Sequence, residues 1–146
     1  MKNLKCKHEV WNKRTVVSMP VAQLWASVPV APLFNGKPFY EPVKHDIQTN
    51  GLNFPILVVK ATFAELTKMK VKHKRHLLEL PTGYNPTDII YVVWGGSNRL
   101  AIARELNYTH VDCVIYEHDF AAAWRDQSLQ RDPYKELYKS NRSILR

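Results

Sequence analysis

Four stretches of the chain are apolar enough to predict β-strands. Residues 54–59, 89–93 and 110–116 are rich in β-branched and aromatic side chains, and residues 16–21 form a shorter run that Pro20 ends. The stretch 54–59 has no charged position, which is typical of a strand that is covered on both faces. The pattern therefore predicts a sheet with buried inner strands.

Between these strands, apolar residues recur at helical spacing. Thr62 and Glu65 have the spacing of a capping box, which predicts that a helix begins near Phe63. The stretch 119–129 would place Phe120, Ala123 and Trp124 on one inward face. The other predicted helical stretches are a turn at residues 23–25 and helices over residues 42–49, 99–107 and 133–145.

This order of elements predicts an α+β (α/β-like) fold with a small mixed sheet, flanking helices and two C-terminal helices. We expect a basic N-terminal leader over residues 1–15, a domain over residues 16–117 and a helical extension over residues 118–146. Four prolines predict a loop over residues 28–42.

The glycine-containing turn after the strand 89–93 is the main candidate for chemistry. Glycines permit a sharp turn and a close approach of backbone to a ligand, and a helix N-terminus suits an anion. A cation in the first helical turn opposes the helix dipole, which is easier to understand if a phosphate docks beside Arg99. The alternative is that Ser97 is an ordinary N-cap and that Arg99 pairs with a carboxylate. The stretch reads Trp94, Gly95, Gly96, Ser97, Asn98 and Arg99.

Positive charge is concentrated in two segments of a chain whose net charge is +8. Residues 1–14 carry five lysines and arginines against one glutamate, and residues 60–76 carry six against one. Such clustering favours nucleic acid, with DNA as the expected partner, although a solvated surface is the alternative. The second segment could be a helix end, an edge ribbon or a mobile arm, and the pattern does not decide between them. Its residues expected to contact nucleic acid are Lys68, Lys70, Lys72, Lys74 and Arg75.

Cysteine usage and the N-terminus indicate a cytoplasmic protein. Cys6 and Cys113 lack the spacing of a zinc site or a disulfide framework, and Cys113 is expected in the core. The first residues are charged and have no secretory h-region. No apolar run is long enough to cross a bilayer, so no membrane partner and no metal site are predicted.

Several motifs in order resemble the ParB/sulfiredoxin superfamily. They are a helix that ends in Gly51-Leu52, the strand start Pro55-Ile56-Leu57-Val58, and a strand that leads into Gly95-Gly96-Ser97-Asn98-Arg99. The match covers roughly residues 16–117, with a basic insertion at about residues 61–87. The resemblance implies the fold of that superfamily.

The functional residues of the superfamily carry over in part. In sulfiredoxins the corresponding loop resembles Gly-Gly-Cys-His-Arg. In this chain Ser97 and Asn98 stand in the cysteine and histidine positions. A serine hydroxyl has no thiolate, so sulfiredoxin chemistry is not expected. In ParB proteins the box binds nucleoside triphosphate phosphates, which implies that role for Arg99 and the backbone of residues 96–98. Trp94 is the candidate for base stacking, and the expected cofactor is a nucleoside triphosphate with Mg²⁺.

Two further functions stay open at this point. The first is an enzyme, either a nucleotide-dependent kinase or hydrolase or a ParB-like nuclease, with Glu41 and Asp46 as candidate catalytic carboxylates. The second is a non-catalytic DNA-binding accessory protein, for example from a phage or plasmid. The residues do not indicate the oligomeric state.

Overall fold

A computed structural model describes residues 2–26, 40–72 and 83–130 of the chain. A 3-10 turn, Val21–Gln23, precedes the fifth strand. The strands and helices of the described part are β1 (Asn3–Leu4), β2 (Val10–Trp11), β3 (Arg14–Thr15), β4 (Val17–Pro20), β5 (Leu24–Ala26), α1 (Tyr40–Asn50), β6 (Ile56–Thr62), α2 (Phe63–Lys72), β7 (Ile89–Gly95), α3 (Ser97–Glu105), β8 (His110–Glu117) and α4 (Phe120–Gln127).

The main sheet is mixed. Its strands follow the order β4, β8, β6, β7, β5, and β1 pairs with the first residues of β8. The pairs β6/β8 and β5/β7 are parallel, whereas β6/β7 and β4/β8 are antiparallel. The predicted α+β fold with a small mixed sheet is confirmed.

Helices cover both faces of this sheet. Along β6, Ile56 and Val58 join one core with α1 and α3, whereas Leu57 and Val59 join a second core with α2 and α4. Each of these four residues is 0% exposed. The apolar strand that the sequence predicted is therefore buried on both sides, because burial on both faces leaves no position for a polar side chain.

The basic run after β6 begins as a helix. The Thr62 backbone N–H donates to Glu65 Oε1 (3.1 Å), and the Glu65 N–H donates to Thr62 Oγ1 (3.1 Å). This reciprocal pair is the predicted capping box, and it fixes the start of α2. Since α2 extends to Lys72, the helix is the correct alternative up to that residue; residues 73–82 lie outside the described part.

The N-terminal residues differ from the expected leader. Strand β1 pairs with β8, and β2 and β3 form a hairpin whose Trp11 is 8% exposed within the second core. The hairpin turns at Asn12 and Lys13, both with positive φ, as a two-residue turn of this kind requires. Residues 2–15 are thus integrated into the fold.

Two local predictions are wrong. Residues 24–26 form strand β5 beside β7, not a helical turn, because Leu24 inserts into the first core. Trp124 is 58% exposed, not inward; the buried face of α4 instead includes Asp126. The loop over residues 28–42 lies mostly outside the described residues, and the helix over residues 133–145 lies wholly outside them.

No helix within residues 2–26, 40–72 and 83–130 is long and apolar enough to cross a membrane.

Candidate functional site

The glycine loop joins β7 to α3 at one end of the sheet. Gly96 adopts a left-handed conformation (φ 109°) and occupies the N-cap position of α3, so Ser97 is the first helical residue and not the cap. Gly96 has no side chain that could cap the N–H groups of this helix. The N–H groups of a first helical turn have no acceptor within the helix. The loop therefore presents the backbone donors of residues 97–99, together with the positive end of the helix dipole.

Both glycines have close neighbours, and the left-handed backbone of Gly96 also favours glycine there. A Cβ on Gly96 would lie 2.7 Å from Arg99 Nη2 and 2.9 Å from Arg99 Cζ. A Cβ on Gly95 would lie 3.3 Å from both Gln127 Cγ and Leu57 Cδ1. The glycines thus let the guanidinium of Arg99 lie directly over the loop and let the end of α4 lie against it.

The guanidinium of Arg99 is held by oxygens from two other segments. Arg99 Nη1 donates to the carbonyl oxygens of Phe54 (2.9 Å) and Pro55 (3.1 Å), and Nη2 donates to Gln130 Oε1 (2.7 Å). Gln130 Nε2 also donates to the Pro55 carbonyl (2.7 Å). These three acceptors of Arg99 are neutral oxygens, and they hold its guanidinium over the loop. The side chain is partly buried, which strengthens its field at the loop.

The side-chain amide oxygen of Asn98 lies in the interior. Its Oδ1 is buried and finds no hydrogen-bond partner among the described residues. A carbonyl oxygen does not attract an anion, so Oδ1 itself adds nothing to an anion site.

Trp94 is packed rather than presented to solvent. It is 5% exposed, and its ring meets Phe120 edge to face, with centroids 5.0 Å apart and planes at 70°. Such contacts are typical of aromatic core packing. Stacking of a base on Trp94 would require this contact to open.

The thiol closest to this chemistry is not suited to nucleophilic attack. Burial raises the pKa of the Cys113 thiol, and the positive charge of Arg99 opposes this rise without overcoming it. Cys113 is therefore a protonated core residue at neutral pH, as the sequence predicted. This agrees with the absence of a cysteine from the loop itself.

The candidate carboxylate Glu41 is far from the loop. Lys44 Nζ contacts both Glu41 Oε1 (3.1 Å) and Glu105 Oε1 (3.0 Å). Glu105 is the last residue of α3, and eight helical steps of about 1.5 Å separate it from Ser97. Glu41 thus lies near the end of α3 that points away from the glycines.

The second candidate, Asp46, bonds to its own helix. Its Oδ1 accepts from Asn50 Nδ2 (2.7 Å). Across the described ranges, no cluster of three or more His, Cys, Asp or Glu side chains could hold a metal ion. Within those ranges the structure thus places Arg99 at the glycine loop, and no cluster of three or more such metal ligands lies there.

The basic run starts at the opposite end of the sheet. Leu57 is opposite Gly95 in the β6/β7 register, whereas Thr62, which precedes α2, is opposite Ile89 at the other end of β7. Lys68 is exposed on α2. The backbone of Lys70 and Lys72 lies in the same helix, and Lys74 and Arg75 lie outside the described residues.

Sequence patterns could not reveal the partners of Arg99. Gln127, the last residue of α4, and Gln130, which lies beyond that helix, follow the loop by about 30 residues in the chain. Phe54 and Pro55 contribute only backbone carbonyls. Every residue has a backbone carbonyl, so no residue type in the sequence marks these acceptors.

No protein-family model matches this chain, and no curated protein matches it. Among solved structures, it is similar to sulfiredoxin from Arabidopsis thaliana, with a TM-score of 0.42 and 15% identity over 70% of this chain and 85% of that chain. It is also similar to a Pnob8-like ParB-N domain, with a TM-score of 0.46 and 15% identity over 83% of this chain, and it spans 39% of that chain. These are the two kinds of protein whose motifs the sequence resembles. At this level of similarity the matches say nothing about activity or ligand.

Proposed function

We propose that the loop Gly95–Arg99 binds a phosphate group, either of a nucleotide or of a DNA backbone. One observation carries this proposal: the uncapped N-terminus of α3 lies beneath the guanidinium of Arg99. Backbone N–H groups at a helix N-terminus and a nearby cation are the usual elements of an anion site. Ser97 adds a hydroxyl that can donate to a phosphate oxygen.

The energetics favour an anion at this position. A cation in the first turn opposes the helix dipole at a cost of about 0.3–1 kcal/mol when exposed. A bound phosphate offsets this repulsion, because its negative charge attracts both the positive end of the helix dipole and the guanidinium of Arg99. A nucleoside triphosphate with Mg²⁺ is the proposed cofactor, since it offers several phosphates to one loop.

A direct test is calorimetric titration of ATP, CTP and GTP, each with magnesium, into the wild-type chain and two variants. Ser97→Asp places a carboxylate at the first helical position, where it stabilises the helix by about 0.5 kcal/mol but repels phosphate. We expect a loss of affinity of at least about tenfold, equivalent to 1.4 kcal/mol. We expect the melting temperature to stay close to that of the wild type, so that a loss of binding is attributable to the site.

The control is Arg104→Ala, which removes a positive charge from the other end of the same helix. Arg104 Nη2 donates to the Leu24 carbonyl (2.8 Å), so it resembles Arg99 in donating to backbone. We expect unchanged affinity for the triphosphate. Equal losses in the two variants, or no binding of any triphosphate by the folded wild type, would contradict a specific phosphate site.

A second candidate function is DNA binding through the basic helix α2. The observation that favours it is the exposed Lys68 within a segment of strong positive charge that starts at the opposite end of the sheet from the loop. Replacing Lys68, Lys70 and Lys72 with glutamine should weaken DNA binding and reduce its salt dependence, while Ser97→Asp leaves both unchanged. The reverse result would assign DNA contact to the loop.

A further inference from the structure

Three aromatic side chains meet where the helix α2 begins. The Tyr84 ring stacks on that of Phe63, the first residue of α2, with centroids 6.4 Å apart and planes at 29°. It also meets Trp25 of β5 edge to face, with centroids 6.3 Å apart and planes at 87°. Phe63 and Trp25 pack against the second core, whereas Tyr84 is 38% exposed. This aromatic cluster is therefore anchored in the core and reaches solvent through Tyr84.

Backbone hydrogen bonds hold the segment that follows Tyr84 against the start of α2. The Phe63 N–H donates to the Asp88 carbonyl (2.9 Å), and the Ala64 N–H donates to the Pro86 carbonyl (3.0 Å). These bonds give acceptors to N–H groups that a helix N-terminus otherwise leaves without one. The position of Tyr84 relative to α2 is thus fixed by backbone bonds as well as by ring contacts.

Positive charge follows the aromatic cluster along the same helix. Lys68 is exposed and lies five residues after Phe63, a rise of about 7.5 Å along the axis. The sequence of α2 continues with Lys70 and Lys72. A stacked strand advances about 3.4 Å per nucleotide, so a strand with one base on Tyr84 brings a phosphate level with Lys68 within about two nucleotides.

The carboxylates that adjoin the aromatic cluster in the chain have donors of their own. Glu65 Oε1 accepts from the Thr62 backbone N–H (3.1 Å) and contacts His118 Nδ1 (2.6 Å). Asp88 Oδ2 accepts from the Asn85 backbone N–H (2.7 Å). Glu65 therefore serves the cap of α2, and Asp88 serves the turn before β7.

We propose that single-stranded DNA binds along α2, with one base stacked on Tyr84 and the neighbouring phosphates on the lysines of the helix. This inference rests on the proposed DNA binding through α2, and it names the class of DNA. A base can lie on an aromatic ring only when it is unpaired, whereas phosphate contacts alone do not distinguish one strand from two. An exposed ring that is anchored beside lysines thus points to a single strand.

The experiment measures the affinity for oligodeoxythymidylate and for a duplex of the same length by fluorescence anisotropy. Tyr84→Leu keeps an apolar side chain against Trp25 and Phe63 but removes the ring, whereas Tyr84→Phe keeps the ring. Tyr84→Leu should weaken single-strand binding about tenfold or more, as expected for the loss of one stacked base. Tyr84→Phe should retain most of the affinity, and duplex affinity should be the same in all three proteins.

Tyr108→Leu is the matched control. Tyr108 packs against the first core, on the opposite face of the sheet, and Lys2 Nζ lies 4.5 Å from its ring centroid. It is thus also a tyrosine beside a lysine, and its replacement should leave single-strand affinity unchanged. The melting temperature of each variant is measured, so that affinities are compared between folded proteins.

The lysines of α2 are tested in the same titrations. Replacing Lys68, Lys70 and Lys72 with glutamine should weaken the binding of both DNAs. The slope of log affinity against log salt should fall by about 2 for the single strand, since each phosphate contact contributes about 0.7. Tyr84→Leu should leave this slope unchanged, because it removes no charge.

The outcomes separate the stacking role from the proposed DNA binding. If Tyr84→Leu weakens single strand and duplex equally, or no more than Tyr108→Leu does, the stacking role is overturned. A reduced salt slope in the lysine variant would then still assign DNA contact to α2. If the folded wild type binds neither DNA, or if the lysine variant binds both as the wild type does, DNA binding through α2 is rejected together with this inference.

Discussion

Two charged clusters flank the end of α4, and they differ in the groups that contact their buried or partly buried charge. On one side the Asp126 carboxylate is 1% exposed, and it accepts a hydrogen bond from the Tyr116 hydroxyl (2.8 Å). Arg125 Nε (3.3 Å) and Arg14 Nε (3.7 Å) approach the same group. On the other side, Gln130 and two backbone carbonyls hold Arg99. The carboxylate thus has ionic partners, whereas the three oxygens that hold the guanidinium are neutral.

This difference separates a structural cluster from a candidate binding cluster. Arg14 also lies over the Tyr116 ring, 4.2 Å from its centroid, so Asp126 ties the N-terminal hairpin to both β8 and α4. Removing one partner of a buried ion pair lowers the free energy of unfolding, because the other partner loses the group that offsets its desolvation. A guanidinium beside a helix N-terminus adds positive charge where the helix dipole already favours an anion. We therefore expect changes at Asp126 to alter stability and changes near Arg99 to alter binding.

The largest expected effect is on stability. Asp126→Asn keeps the shape of the side chain but removes its charge, which leaves Arg14 and the Tyr116 hydroxyl without their anionic partner. We expect the free energy of unfolding, measured by urea denaturation, to fall by about 2 kcal/mol, because hydrogen bonds to a charged group contribute about 1.5–3 kcal/mol. The loss is not larger, since water reaches Arg14 and Arg125. The control is Asp119→Asn, in which an exposed carboxylate of the same helix is lost but the N-cap is retained, since asparagine caps as well as aspartate. A loss below about 1 kcal/mol in Asp126→Asn would show that the cluster does not hold the hairpin.

The next effect is on binding. Gln130→Glu places a carboxylate 2.7 Å from Arg99 Nη2 and so pairs the guanidinium internally. We expect the affinity for triphosphate to fall at least about tenfold, or 1.4 kcal/mol, because the new charge competes for Arg99 and repels the ligand. Stability should change by less than about 1 kcal/mol, since the new ion pair offsets the lost bond to Pro55.

Calorimetric titration and urea denaturation of the same preparations measure the two quantities. Gln127→Glu is the control, because it places the same charge on the same segment but beside Gly95 rather than on Arg99. A smaller loss of affinity is expected there. If Gln130→Glu binds triphosphate as the wild type does, Arg99 takes no part in phosphate binding.

The sequence predicted the elements of both clusters better than their connections. The strand, glycine turn and helix around Gly96 follow from local patterns, because turn and helix signals are carried by neighbouring residues. The contacts of Arg99 with Gln130 are not local, and no residue pattern marks them. The same holds for Asp126, whose partner Arg14 lies more than 100 residues earlier in the chain.

The error at Trp124 has the same origin. A hydrophobic pattern assigns tryptophan to the core and aspartate to the surface. The predicted apolar face of α4 therefore includes Trp124 and leaves out Asp126. The structure reverses both assignments, because the hairpin supplies donors that make burial of Asp126 favourable. Only the position of the hairpin could reveal this, and the turn at Asn12 and Lys13 lacks the glycine that marks such hairpins.

The pH dependence of stability provides the finest distinction between the clusters. Burial raises the pKa of Asp126, but hydrogen bonds from Tyr116, Arg125 and Asn12 outweigh it, so that the net pKa is below the usual value. A carboxylate with a lowered pKa in the folded state stabilises the protein above its unfolded pKa of about 3.9. This contribution is lost as the pH falls through the folded pKa. Arg99 stays charged throughout this range and contributes no such dependence.

We therefore expect the urea midpoint of the wild type to fall more steeply below about pH 4 than that of Asp126→Asn. The difference between the two proteins should be constant from pH 5 to 7, where Asp126 is ionised, and should shrink on acidification. Using this difference removes the contributions of other carboxylates, such as Glu65, whose pKa is also lowered by its bonds to Thr62 and His118 even though burial opposes the shift. Parallel profiles across the whole range would mean that Asp126 is not stabilised as an anion, and the contrast between the two clusters would then rest on Arg99 alone.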